Sequence, residues 1–251
     1  MTFALTFIAF FNIGCVSQTQ TTTTPHSHSD LFKTAFEPVG RIIQRGRLST
    51  KYMIFDSGHE AMMLTKTADG YRLYVELMET GGRAPKSFST YQLDENMQFR
   101  SLEYRRLGKP APEVVFTRET QGITKATSET TEFMPMANGG VFLGPHDCAA
   151  FITIHQFKNL EVGQRTTFDA LSYGNTGSKI ARNPTRITRE ADEKIRIGGH
   201  KQVVRKYILV FPVDKPRFRT TYWTDDDGFV LRGLTKLPVG TLRMNWSSVP
   251  Q

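Results

Sequence analysis

Downstream of residue 30 the apolar positions recur every second residue. In YRLYVELM, Tyr71, Leu73, Val75 and Leu77 alternate with Arg72, Tyr74, Glu76 and Met78, the period of a strand with one face turned to a core. Asp69-Gly70, the strongest short hairpin signal, precedes it, and the apolar run AMMLT precedes that, so residues 60–79 read as a hairpin. The same grammar recurs along the chain. SFSTYQLDENMQFRSLEYRRL turns at Asp94 to Asn96, EVVFTRETQGITKATSE at Gln121-Gly122, IRIGGHKQVVRKYILVF at Gly198-Gly199 and TTYWTDDDGFVLRGL at Asp227-Gly228. Repeated hairpins with one dry and one wet face predict a large antiparallel meander. No internal repeat of fixed period interrupts it.

One segment breaks the alternation. In GPHDCAAFITIHQF, residues 144–157, Pro145 and Asp147 give a helix-start signal with Asp147 as N-cap, and Cys148 to Leu160 contain neither Gly nor Pro. On a helical wheel Phe151, Ile154 and Phe157 share one side while Cys148 and Ile152 occupy another, so the helix is apolar on several sides and buried on several sides. The competing reading is a strand, because FITI is β-branched and short apolar runs are ambiguous. Helix is favoured. The predicted fold is therefore mainly β, a large curved antiparallel meander or half-open barrel packed around one central α-helix.

The first residues differ in kind. Phe3 to Ile13 is apolar and ends in Gly14-Cys15, too short to span a bilayer, where about 20 residues are needed, and suited to a signal-peptide core. The polar tract VSQTQTTTTPHSHSD that follows cannot continue a hydrophobic core. Gly14-Cys15 resembles a bacterial lipobox, in which the cysteine is acylated and becomes the mature N-terminus. Asn12 departs from the usual leucine there, and no Lys or Arg precedes the apolar run; ordinary cleavage after Ser17 is the alternative. The expected division is residues 1–15 as signal peptide with a possible lipobox, 16–30 as linker and 31–251 as a single β-rich domain. With Cys15 lipidated or removed, Cys148 has no intramolecular partner, so no disulfide framework supports the domain.

Composition then bounds the function classes. Of 251 residues, 39% are hydrophobic and 22% charged, with 18 Phe and 8 Tyr, enough for a real core without disulfides. The formal net charge is +8, and eleven Lys or Arg fall between Arg182 and Arg219 against four acids. A clustered surplus attracts an anionic partner. No nucleic-acid module accompanies it, which argues against DNA or RNA and leaves membrane phospholipid or another envelope polyanion.

Sharper chemistry finds little footing. Cys148 and His155 share a helix face, but seven residues at ~1.5 Å rise separate their backbones by about 10 Å, beyond nucleophile-to-base reach; His59, His146 or His200 would have to serve instead. A helix N-terminus would lower the thiol pKa, whereas the simpler reading is a small buried hydrophobe. Neither His146-Asp147-Cys148 nor His26/His28 has the spacing of a structural zinc site. TDDDG lacks the terminal acids of a calcium loop. GNTGS, residues 174–178, reads as a plain loop, and no nucleophile elbow, P-loop or dinucleotide fingerprint is present. No cofactor, metal or catalytic residue is expected.

Taken together, the exported leader, the DG-turn hairpins, SFSTYQLDENMQF, the HDCAAFITIHQFKNLEVGQ helix and turn and the closing YWTDDDGFVLRGL hairpin resemble a family of bacterial envelope domains of unknown function. The resemblance covers roughly residues 38 to 245. It implies a half-open antiparallel barrel partly enclosing a helix, similar to periplasmic lipoprotein carriers, and no particular activity. The expectation is an exported, lipid-anchored, non-catalytic protein that binds an apolar or amphipathic envelope ligand or a partner protein, with Phe151, Ile152, Tyr222 and Trp223 lining the site. The alternatives are a filled scaffold whose basic stretch meets an anionic envelope surface and, third, an enzyme acting on an envelope polymer. Val16-Ser17 lacks an inner-membrane retention aspartate, which by the lipoprotein resemblance implies a periplasm-facing outer-membrane anchor.

Overall fold

The computed structural model describes residues 31–248 apart from residues 35, 79–84, 107, 110, 138, 174–179, 198, 214–217 and 238–239. The leader, the linker, Cys15, His26, His28 and the GNTGS loop lie outside the described residues. The chain runs β1 (Arg41–Tyr52), β2 (Phe55–Thr67), β3 (Gly70–Met78), β4 (Pro85–Leu93), β5 (Phe99–Arg106), β6 (Val114–Glu119), β7 (Gly122–Ala126), β8 (Thr131–Pro135) and β9 (Val141–Leu143). A 3-10 turn (Asp147–Ala149) leads into α1 (Ala150–Gln156), followed by β10 (Arg165–Tyr173), β11 (Ile180–Ile197), β12 (His200–Phe211), β13 (Phe218–Thr224), β14 (Val230–Leu237) and β15 (Gly240–Ser248).

All fifteen strands join one curved, unclosed sheet in the order β8-β7-β6-β5-β4-β3-β2-β1-β15-β14-β13-β12-β11-β10-β9. Neighbours are consecutive in sequence and antiparallel except at two places. β1 pairs with β15, which joins the two ends of the domain at mid-sheet, and β9 pairs with β10 in parallel, because α1 and its turns carry the chain back across the concave side. Each hairpin expected from a turn signal forms, at residues 68–69, 94–98, 120–121 and 225–229 and between the paired residues Ile197 and His200.

Strand periodicity sorts the side chains by face. Leu64, Leu73, Tyr91, Leu102 and Phe116 are successive cross-strand partners from β2 to β6, and all are buried on the concave side. The main hydrophobic cluster holds this ladder, the helix residues Phe151, Ile152 and Ile154, and Tyr207, Tyr222, Val230, Met244 and Trp246 from the second half of the sheet. A second, smaller cluster lies on the convex side: Leu31, Phe32 and Phe36 cover Ala61, Met63, Tyr74 and Phe88. The Glu76 carboxylate accepts from the backbone N–H of Lys33 at 2.7 Å and of Thr34 at 2.6 Å, pinning that segment to β3. Nothing in the alternation of DLFKTAFEPVG announces this cover.

Candidate functional site

The helix is held at both ends by the sheet. A helix leaves its first backbone N–H groups without internal partners, and here no side chain of the segment itself caps them. Glu60, an acid among the inward residues of β2 and 3% exposed, accepts from Asp147 N at 3.0 Å and Cys148 N at 2.7 Å. Asp147, expected as the N-cap, therefore does not cap: it is the first residue of the 3-10 turn, and the cap is a carboxyl group supplied from another strand. The helix is correspondingly shorter than Cys148 to Leu160. At its far end Arg205 Nη1 and the Tyr207 hydroxyl of β12 donate to the Lys158 carbonyl at 3.1 and 3.3 Å, and His155 Nδ1 donates to the Asp227 carbonyl at 2.8 Å.

Burial sets the chemistry of this entry cluster. It pushes the Glu60 carboxyl up to about 8, with the Asp147 carboxyl adding to the effect, and Asp147 up to about 6. It lowers His146 to about 3, so the imidazole that shares a 2.9 Å hydrogen bond between Nδ1 and the Tyr91 hydroxyl is neutral. The Cys148 thiol is raised well above its ordinary value by burial and then by Glu60. A nucleophilic cysteine needs the opposite environment. The lowering expected from the helix start is overridden by desolvation, and His155 faces the β13–β14 turn rather than the sulfur. The cluster serves to anchor the helix.

The expected lining residues divide. Phe151, 1% exposed, stacks on Phe229 with ring centroids 4.6 Å apart; Ile152 and Tyr222 belong to the same buried cluster. Trp223, the next residue after Tyr222 on β13, points to the other face by strand alternation. Its indole N–H donates to Glu193 Oε2 at 3.0 Å, and the Lys206 ammonium lies 6.0 Å from its ring. Trp223 is therefore corrected from a concave lining residue to a convex one.

The linear run of cations from Arg182 to Arg219 is not one surface. Arg182 pairs with Asp169, Arg189 is buried inside against Asp192 and the Tyr207 ring, Arg205 pairs with Asp226 and Lys206 with Glu193. A different set converges on the convex face. Arg186, Arg219, Lys236 and Arg243 alternate with the inward residues Ile187, Thr220, Thr235 and Met244. Arg219 stands directly opposite Lys236, Arg243 opposite Lys51, and Val210 links Arg186 to Arg219. Arg186, Arg219, Lys236 and Arg243 form no ion pair among the described residues. Like charges directly opposed across strands are destabilising, and a bound anion relieves that cost.

No protein-family model matches the sequence, and no curated protein does. Among solved structures the chain is similar to a beta-barrel-like protein of domain of unknown function DUF1849 from Brucella abortus, with a TM-score of 0.55 at 8% identity over 83% of this chain and 97% of that one. The architecture is a half-open, β-barrel-like fold. Further similarities are to a DUF1089 family protein from Pseudomonas aeruginosa, with a TM-score of 0.44 at 12% identity over 82% and 96% of the two chains, and to the hypothetical lipoprotein YmcC from Escherichia coli, with a TM-score of 0.36 at 11% identity over 82% and 84%.

Two features of this half-open barrel escape the sequence reading. Glu60 carried a signal, an acid in register with the inward Met62 and Leu64. The convex cations carried none, because they lie on five different strands, and Lys51, far along the chain from the others, meets them only through the β1–β15 pairing.

Proposed function

We propose that the chain is an exported, non-catalytic scaffold of the bacterial cell envelope that docks through its convex cations on an anionic envelope surface. The observation that supports this reading is the Arg219–Lys236 opposition, two cations on adjacent strands with no acid between them. The leader ending in Gly14-Cys15 supplies export and an outer-membrane, periplasm-facing anchor in this reading. The expected apolar or amphipathic ligand in the concavity has less support, since Phe151, Ile152 and Tyr222 already fill the space around the helix with one another and with Phe229. An envelope-polymer hydrolase has less again, because the polar groups that converge at the helix entry are buried and unsuited to nucleophilic attack.

A heparin column serves as a generic polyanion probe. The Arg219→Glu/Lys236→Glu protein is expected to elute at clearly lower salt than wild type, because exposed charges act over about 10 Å at ~0.1 M salt. Arg41→Glu/Lys109→Glu, an equal change in net charge on the other half of the sheet, is expected to elute much closer to wild type. Equal shifts from both variants would mean that net charge alone is being read, and the docking face would be lost.

A further inference from the structure

Among the described residues the β1–β2 hairpin tip is the odd turn. The other described hairpin tips are polar: they carry Asp, Asn, Gln or Gly, or the Thr-Ser-Glu-Thr of residues 127–130, types that suit turns and water. Here a two-residue loop, Met53-Ile54, joins the paired residues Tyr52 and Phe55. Ile54 is 84% exposed, Phe55 58% and Met53 52%. Met53 sits at φ 55, a left-handed conformation that costs an ordinary residue about 1–2 kcal/mol and that Gly or Asn adopts more easily. Neither the backbone nor solvation favours these side chains at this place.

The tip is also held firmly. Met53 N donates to the Thr241 carbonyl at 2.8 Å, and a side chain at Gly240 would meet the Tyr52 hydroxyl at 2.9 Å and Met53 Cγ at 3.1 Å, so the neighbouring turn packs closely beneath it. The convex cations lie at the same end of the sheet. Lys51 is two residues from Met53, opposite Arg243 on one side and Asp56 on the other, while Lys236 is opposite Thr241 and beside Arg219, so the cations outnumber the acid there. The result is an apolar point behind which stands a band of positive charge.

We infer that Met53, Ile54 and Phe55 insert into the headgroup–acyl boundary of an anionic phospholipid bilayer while Lys51, Arg219, Lys236 and Arg243 contact its phosphates. This rests on the proposed docking role and names the surface. Apolar side chains that enter the boundary by about 5–10 Å, combined with cations at headgroup level, are the two components of interfacial membrane binding. A lipid surface fits better than a protein partner, because three side chains at a projecting tip fall short of the roughly 800 Å² per partner that a stable protein interface buries. A soluble polyanion would use the cations and leave the tip in water.

The test uses full-length protein carrying Cys15→Ala, which removes any acyl chain, with Ile54→Trp as a fluorescent reporter. Its emission is read as the difference from the same protein without the reporter. On vesicles of phosphatidylglycerol and phosphatidylcholine the reporter emission is expected to shift to the blue and to be quenched by brominated acyl chains, with neither effect on phosphatidylcholine alone. Ile54→Ser/Phe55→Ser is expected to weaken vesicle binding about ten-fold or more while leaving heparin elution unchanged. Vesicle binding with the reporter indole still in water would overturn insertion and leave the docking face standing. Equal insertion into phosphatidylcholine would overturn the role given to the phosphates. A heparin result that fails the charge comparison removes the docking reading by itself, whatever the tip does.

Discussion

Glu60 shows what one inward acid does to a sheet otherwise lined with Leu, Met and Tyr. Its carboxyl is raised from 4.5 to about 8, so the folded state holds a proton that the unfolded chain releases; the stability it contributes is present at low pH and is lost as pH rises from about 4.5 to about 8. His146 works in the opposite sense. Lowered from 6.5 to about 3, it stays neutral in the folded state while the unfolded chain takes up a proton, so stability is lost as pH falls below about 6.5. Asp147, raised from 3.8 to about 6, acts in the same sense as Glu60, so with all three groups urea midpoints are expected to be highest near pH 4 and to decline toward pH 8. Glu60→Gln should flatten the alkaline limb, whereas Glu60→Ala, which leaves two buried N–H groups without an acceptor, should cost about 1–3 kcal/mol across the range. An alkaline limb unchanged in Glu60→Gln would assign the titration elsewhere. Cys148 provides a separate check: it should resist alkylation at pH 8 until the protein is unfolded, and rapid labelling of the folded protein would contradict its burial.

Elements were legible to the degree that their signals were local. The Asp69-Gly70 and Asp227-Gly228 turns fixed their hairpins because two residues with special backbone preferences decide such a reversal. The helix was legible in place but not in extent: its apolar sides gave its existence, while its start depended on Glu60, 87 residues earlier in the chain. The three-residue β9 and its parallel pairing with β10 had no local signal, since a parallel pair is made by a crossover rather than by a turn. The consequence for packing can be measured. Phe151→Ala opens a cavity between α1 and Phe229 and is expected to cost about 3–5 kcal/mol in chemical denaturation, whereas Trp223→Ala, on the half-exposed convex side, should cost clearly less. Equal losses would mean that the helix is not the centre of the core.

For the whole molecule, the mainly β character and the curved sheet around a helix are legible in the sequence, because periodicity and turn chemistry both act within ten residues or so. The charge distribution is not. Of the eleven cations in one linear stretch, Arg182, Arg205 and Lys206 pair with acids, Arg189 is buried, and Arg186 and Arg219 join a patch with Lys51, Lys236 and Arg243. Strand alternation sends successive residues to opposite faces, so a run of like charge along a strand is divided by geometry. Lys51 joins the patch only because β1 lies beside β15.

That adjacency has a bearing on timing. Gly46 is registered against Ser248, so the seam in the middle of the sheet stays unlatched until β15 has been made. Contacts of such long range form slowly. A chain whose two halves cannot be buttoned together before β15 arrives remains threadable until then, a convenience if, as the proposed export requires, it has to pass through a narrow channel before it takes its shape.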